Sequence, residues 1–232
     1  MDSNTELSVA SFAKTRLKMK NLSRLLLGLI LITACDSPAE KTRLPFYNTP
    51  DFTPVWLTPT DAGYKNIHTI APFSLVNQRG DSITNKNTAG KIYVANFFFT
   101  SCQNICPPMM ENLSKVAKTF DSDNRVLILS HSVTPRRDSV PVLQAFAKKR
   151  HIENNNWWLL TGDQPAIYKL ARQAYFADDA NGFTKGSDDF LHTENLVLID
   201  TKGRIRGVYN GSLQLEVENL IAHIKLLEAE NL

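Results

Sequence analysis

From about residue 67 onward, apolar and polar positions alternate between two periods. Phe73–Val76 and Ser82–Thr84 flank Asn77–Asp81, a polar stretch with a glycine, which is the pattern of a β-hairpin. Ile92–Phe99 is an almost unbroken apolar run, as expected of a strand covered on both faces. Over residues 107–120, Met110, Leu113, Val116, Ala117 and Phe120 recur at helical spacing, after two prolines of a kind the first helical turn tolerates. Arg125–Val133 reads as a second buried strand, followed by a helix opening at Asp138 and running to about Arg150. Asn156–Leu160 reads as a third strand. The helix after it begins near Pro165 with Asp163 as its cap and runs to about Phe176. A polar loop over 178–190 leads to a strand at Asn195–Asp200, a turn at Thr201–Gly203, a return strand at Arg204–Tyr209 and a last amphipathic helix from Leu213 to about Glu230. Strands alternating with helices predict an α/β fold. Its expected form is a central mixed β-sheet flanked by helices, with an N-terminal β-hairpin extension.

The first residues follow a different pattern. Lys14, Arg16, Lys18, Lys20 and Arg24 precede the apolar run Leu25–Ile32, and Thr33-Ala34-Cys35 follows it. A basic start, a short apolar middle and small residues before a cut site predict a secretory signal. Thr33-Ala34-Cys35 behind Leu31-Ile32 resembles a bacterial lipoprotein signal, in which Cys35 becomes the acylated first residue of the mature chain. Met19 would open a leader of ordinary length. The expected organisation is a signal with lipidation cysteine over 1–35, a Pro-rich tether over 36–66 and one domain over 67–232. The tether contains Pro38, Pro45, Pro50, Pro54 and Pro59, with Phe46, Tyr47, Phe52 and Trp56 available to pack on the domain. A lipid-anchored protein of a bacterial cell envelope, facing the periplasm, is the expected setting.

Charge adds one exclusion. The net charge of +3 arises in the leader, because residues 1–34 hold five basic and two acidic side chains and the rest of the chain holds 21 of each. There is no basic stripe and no aromatic platform, so nucleic acid is not an expected partner. The aspartates at 178, 179, 188 and 189 read as a solvated loop, with guidance of a basic partner as the alternative.

The candidate chemistry sits in Phe99-Thr100-Ser101-Cys102-Gln103-Asn104-Ile105-Cys106-Pro107, between a buried strand and a helix. Free amides and the positive pole of a helix start favour thiolate, the form that binds metal or attacks disulfides. With Cys35 set aside, Cys102 and Cys106 are the two remaining cysteines, in an oxidising compartment. Two thiols four residues apart form a redox pair, a metal site or both; a purely structural disulfide is the plainest alternative. Soft thiolates prefer Cu(I), and imidazole suits copper in either oxidation state. Of His68, His131, His151, His192 and His223, the candidate third ligand is His192, which stands just before the Asn195–Asp200 strand. His131, at the end of a buried strand, reads as a core residue. His68, His151 and His223 read as surface residues, and Met109 and Met110 as packing. Zinc and peroxidase chemistry are further alternatives for the same residues.

From about residue 67 to the end, the chain resembles the Sco/SenC family of copper-binding cytochrome c oxidase assembly factors. The matching stretches are Phe99-Thr100-Ser101-Cys102 through Cys106-Pro107, Leu129–Pro135 with Arg137-Asp138, and His192-Thr193 before the late hairpin. The resemblance implies a thioredoxin-like fold and one copper ion, Cu(I) or Cu(II), per monomer, held by Cys102, Cys106 and His192. It implies a metallochaperone that delivers copper to the CuA site on subunit II of the oxidase, or to another cuproprotein. A thiol-disulfide oxidoreductase using Cys102 and Cys106 as its redox dithiol is the alternative. Two positions depart from the family pattern: Asn104 stands where an Asp is usual between the cysteines, and Thr134 where an Asp is usual before the proline.

Overall fold

The structure is a computed structural model that describes residues 43–177 and 193–230. The leader, Cys35, the polar loop and His192 lie outside the described residues. Phe46–Tyr47 (β1) and Pro54–Val55 (β2) form a small antiparallel pair, and Ala62–Asn66 a 3-10 turn. The main sheet contains β3 (Ser74–Asn77), β4 (Ser82–Thr84), β5 (Ile92–Phe98), β6 (Val126–Ser132), β7 (Trp157–Thr161), β8 (Asn195–Ile199) and β9 (Ile205–Asn210). Its order is β4-β3-β7-β6-β5-β8-β9. Strands β5, β6 and β7 are mutually parallel, and the hairpins β3–β4 and β8–β9 pair antiparallel at the two sides. The helices are α1 (Asn85–Thr88), α2 (Cys106–Thr119), α3 (Val140–Lys149), α4 (Gln164–Lys169) and α5 (Gln214–Ala229). The mixed sheet, flanking helices and early hairpin are those expected from the sequence.

The pleat of β5 explains its unbroken apolar run. Every residue of β5 is buried, with Ile92, Val94 and Phe98 on one face and Tyr93, Ala95 and Phe97 on the other. The first face packs on α2, α3 and α5 through Leu113, Val116, Leu143, Leu220 and Ile224. The second packs on α4 and the turn after it through Ile167, Ala171 and Tyr175. The β8–β9 turn closes at Gly203, whose φ of +76° suits a residue without Cβ.

Three details depart from expectation. The helix expected from Asp138 opens instead at Val140 behind Ser139, because the Asp138 carboxylate is engaged elsewhere. The helix expected to reach Phe176 changes at Leu170 into a π-helical turn ending at Ala174, with Tyr175 N–H bonded to Leu170 O at 3.1 Å. The Tyr175 ring is fully buried and its hydroxyl donates to Tyr93 at 3.3 Å.

Residues 43–66 are the third. Leu44 and Phe46 are buried there. Arg206, 2% exposed, donates to the carbonyls of Leu44 (2.7 Å) and Pro45 (3.1 Å) while ion-paired with Asp200 and Glu230. Its guanidinium lies 4.3 Å from the centre of the Phe46 ring, and that of Arg204 at 4.7 Å. Among the described residues no helix is long and apolar enough to cross a membrane.

Candidate metal centre

Strands β5 and β6 end side by side, with Phe98 opposite Ser132. The chain then leaves β5 under restraint. Val133 N–H donates to Phe98 O at 2.9 Å, and Cys102 N–H turns back to Phe99 O at 3.2 Å. Helix α2 starts at Cys106. Pro107 follows within the first turn, where the missing amide costs no hydrogen bond. Ile105, in the cap position, supplies no side-chain acceptor, so the amides of this turn are open to another. The Cys106 N–H finds the sulfur of Cys102 at 3.4 Å.

Both cysteines are free thiols, 8% and 2% exposed for Cys102 and Cys106. Their acidities diverge. Burial pushes the Cys102 thiol up, but bonds from the Cys106 thiol and from the amides of Cys106, Asn104 and Ile105 outweigh it and hold the group below its ordinary value. Burial first, and then the Cys102 thiol, push Cys106 up to about 12. The first proton therefore leaves Cys102, and Cys106 keeps its own until a metal or an attacked disulfide draws it off. A pair of this kind can donate two soft sulfurs to one ion or exchange with a disulfide.

The histidines separate clearly. His131 is fully buried on the opposite sheet face from α2, stacked on Phe97 at 5.0 Å, with Nδ1 at 3.3 Å from Asn96 O. Burial pushes it down to about 4, so it stands as a neutral core residue, as expected. His68 and His223 are half-buried rather than on the surface. His68 Nε2 meets Ala174 O at 2.8 Å, and His223 Nδ1 meets the Tyr209 hydroxyl at 2.7 Å. His151 is exposed. Met109 and Met110 are buried in the core beside the cysteines. Among the described residues, no three His, Cys, Asp or Glu side chains gather closely enough to hold a metal.

Strand β8 runs antiparallel to β5, with Val197 opposite Ala95, so its first residues lie toward the end of β5 that leads to Cys102. Gly211 N–H donates to Glu194 O at 2.8 Å, and Asn112 of α2 donates to Gly211 O at 2.9 Å. A Cβ built on Gly211 would stand 2.9 Å from Met109 Cγ. Glu194 is thus joined through one glycine to the helix that begins with Cys106.

Sequence reasoning missed Asp138, 1% exposed, which accepts from Thr100, Ser132 and Thr134. Its place in the Arg137-Asp138 match was the available signal, but an acidic residue before a helix reads first as a cap. Thr134, the departure from the family pattern, is one of its donors.

Comparison with known proteins bears on the whole domain. The SCO1/SenC family model matches residues 61–227. The "SCO1 protein homolog" of Bacillus subtilis is 30% identical over 158 residues, 67% of this chain and 81% of that protein. The crystal structure of a SCO1/SenC family lipoprotein from Bacillus anthracis superposes with a TM-score of 0.61 at 31% identity, covering 69% of this chain and 95% of that one. BsSco, described as a member of the Sco family of cytochrome c oxidase assembly proteins, gives 0.60 at 28% identity over 70% of this chain and 95% of its own. The fold is therefore thioredoxin-like, as the sequence resemblance implied. With a matched region that contains the dithiol, both sheet hairpins and nearly all of α5, the chain belongs to the SCO1/SenC family.

Proposed function

We propose that this protein is a copper metallochaperone of the cell envelope that assists assembly of the CuA centre of cytochrome c oxidase. It holds one copper ion per monomer through Cys102, Cys106 and His192. The observation that carries this reading is the dithiol at the start of α2, with Cys106 N–H directed at Cys102 Sγ. It offers two soft donors, one of them biased toward thiolate, which suits Cu(I). Family membership supports copper as the cargo, and the relative BsSco, described as a member of a family of oxidase assembly proteins, supports the oxidase as the recipient. His192 is the proposed third ligand, supported by the tie from Glu194 through Gly211 to α2. Cys35 is the proposed lipid attachment point; a relative of 31% identity is a lipoprotein.

The divergent thiols favour one second reading, thiol-disulfide exchange on partner cysteines. The Cys102 thiolate would attack a partner disulfide, and Cys106 would then displace the partner's sulfur. Two electrons pass to the partner and a Cys102–Cys106 disulfide remains. Titration of the reduced protein with Cu(I) and Cu(II) decides between them. The wild type binds one equivalent, Cys102→Ser abolishes tight binding and His192→Ala weakens it. Absence of tight 1:1 copper in the wild type ends the chaperone reading. Equal regeneration of partner thiols by wild type and His192→Ala favours exchange.

A further inference from the structure

The buried carboxylate that sequence reasoning assigned to a helix start is spent on the loop that carries the dithiol. Asp138 Oδ1 accepts from Thr100 Oγ1 at 2.6 Å. Its Oδ2 accepts from the Thr100 backbone N–H at 3.1 Å, from Ser132 Oγ at 2.6 Å and from Thr134 Oγ1 at 3.0 Å. Ser132 Oγ in turn accepts from Thr134 N–H at 3.2 Å. Thr100 is therefore gripped twice, by backbone and side chain, two residues before Cys102. The other restraints on the loop lie on either side of this grip: Val133 to Phe98 O before it, and Cys102 to Phe99 O after it.

We infer that Asp138 is a positioning residue for the dithiol: gripping Thr100 from the β6–α3 loop, it holds the turn that presents Cys102 Sγ to the first amides of α2. The Cys106 N–H reaches the Cys102 sulfur at 3.4 Å, a contact that depends on where this loop places Cys102. A buried carboxylate with four donors is a stiff anchor. Two of the four donors belong to Thr100, so losing its hydroxyl loosens the hold on this loop. The threonine at 134 fits this role, because its hydroxyl feeds the same oxygen as Ser132. The inference deepens the copper-site reading and rests on it for metal affinity; its consequence for thiol reactivity stands without copper.

The test measures the rate of Cys102 alkylation by iodoacetamide at one near-neutral pH in the full reduced chain, resolved by peptide mass spectrometry. Thr100→Val and Asp138→Ala slow the reaction about threefold or more. Asp138→Asn stays close to the wild-type rate, since its oxygen keeps the Oδ2 donors and its amide can donate to Thr100 Oγ1. Arg206→Met, which disturbs β9 rather than β5 or β6, lowers the melting temperature and leaves the rate unchanged. Wild-type rates in folded Thr100→Val and Asp138→Ala overturn the inference, and so does an equal slowing in Arg206→Met. If Asp138→Ala does not fold, Thr100→Val decides, because it removes one hydroxyl at constant shape. Cu(I) titration of the same samples weakens in Thr100→Val. A wild type that binds no copper defeats the proposed function while the alkylation comparison still decides the role of Asp138.

Discussion

Replacing Gly211 by alanine adds one methyl group at the most crowded junction beside the dithiol helix. The new Cβ would stand 2.9 Å from Leu196 Cγ, 2.9 Å from Met109 Cγ and 3.0 Å from the Glu194 carbonyl oxygen. None of these is the free end of a flexible side chain. Leu196 and Met109 are both fully buried, and Glu194 O is held by the Gly211 amide itself. Overpacking a filled core costs about 1–3 kcal/mol, and three contacts at once, one of them backbone, place this change at the upper end, about 2–3 kcal/mol. At about 2–4 °C per kcal/mol for a domain of this size, the melting temperature falls by about 4–12 °C. Gly63→Ala is the control, since its Cβ meets only Leu57, at 3.6 Å. Thermal melts by circular dichroism compare the two variants with wild type. A Gly211→Ala melt that coincides with wild type refutes the packing argument, and with it the close tie between Glu194 and α2.

Two further outcomes follow from buried charge. His131 has a folded pKa lowered to about 4 against an ordinary 6.5. The unfolded chain therefore takes up its proton first as pH falls. The stability it contributes is intact above pH 6.5 and is lost between 6.5 and 4, about 3 kcal/mol in all. Denaturant melts at pH 7 and pH 4 show this loss, and it shrinks in His131→Gln; an undiminished loss in the variant removes His131 as the cause. Arg206→Met strips the cation from Glu230 and one of two from Asp200, which keeps Arg204 at 2.7 Å, and frees the Leu44 and Pro45 carbonyls; it costs about 3–5 kcal/mol as a broken buried pair. A denaturant midpoint equal to wild type would show that Arg204 alone satisfies Asp200.

Elements whose burial is written into consecutive residues were legible from the chain. Ile92–Ala95 and Val126–Leu129 are apolar on both faces, and Leu113, Val116 and Ala117 mark one helix face without reference to any distant partner. Features that depend on a distant partner were not legible. The π-helical turn at Leu170–Ala174 goes with the contact between the Tyr175 and Tyr93 hydroxyls, 82 residues apart. Asp138 read only as the start of a helix because its donors at Thr100 lie 38 residues upstream. At the site, the spacing and position of Cys102 and Cys106 could be read directly. The opposite shifts of their acidities could not, since these depend on where three amides point.

The grip of Arg206 on Leu44 and Pro45 has a consequence for self-association. Strand β9 is the last of the seven-stranded sheet, and β1 lies beside it. An uncovered outer strand offers bare backbone groups to any neighbouring molecule, the usual beginning of edge-to-edge aggregation. Here the stretch around Phe46 occupies that flank, held by a side chain that belongs to β9 itself. Leu44, Pro45 and Phe46 therefore serve as a guard rail for the sheet, and loss of that rail would show first in solubility, ahead of metal chemistry.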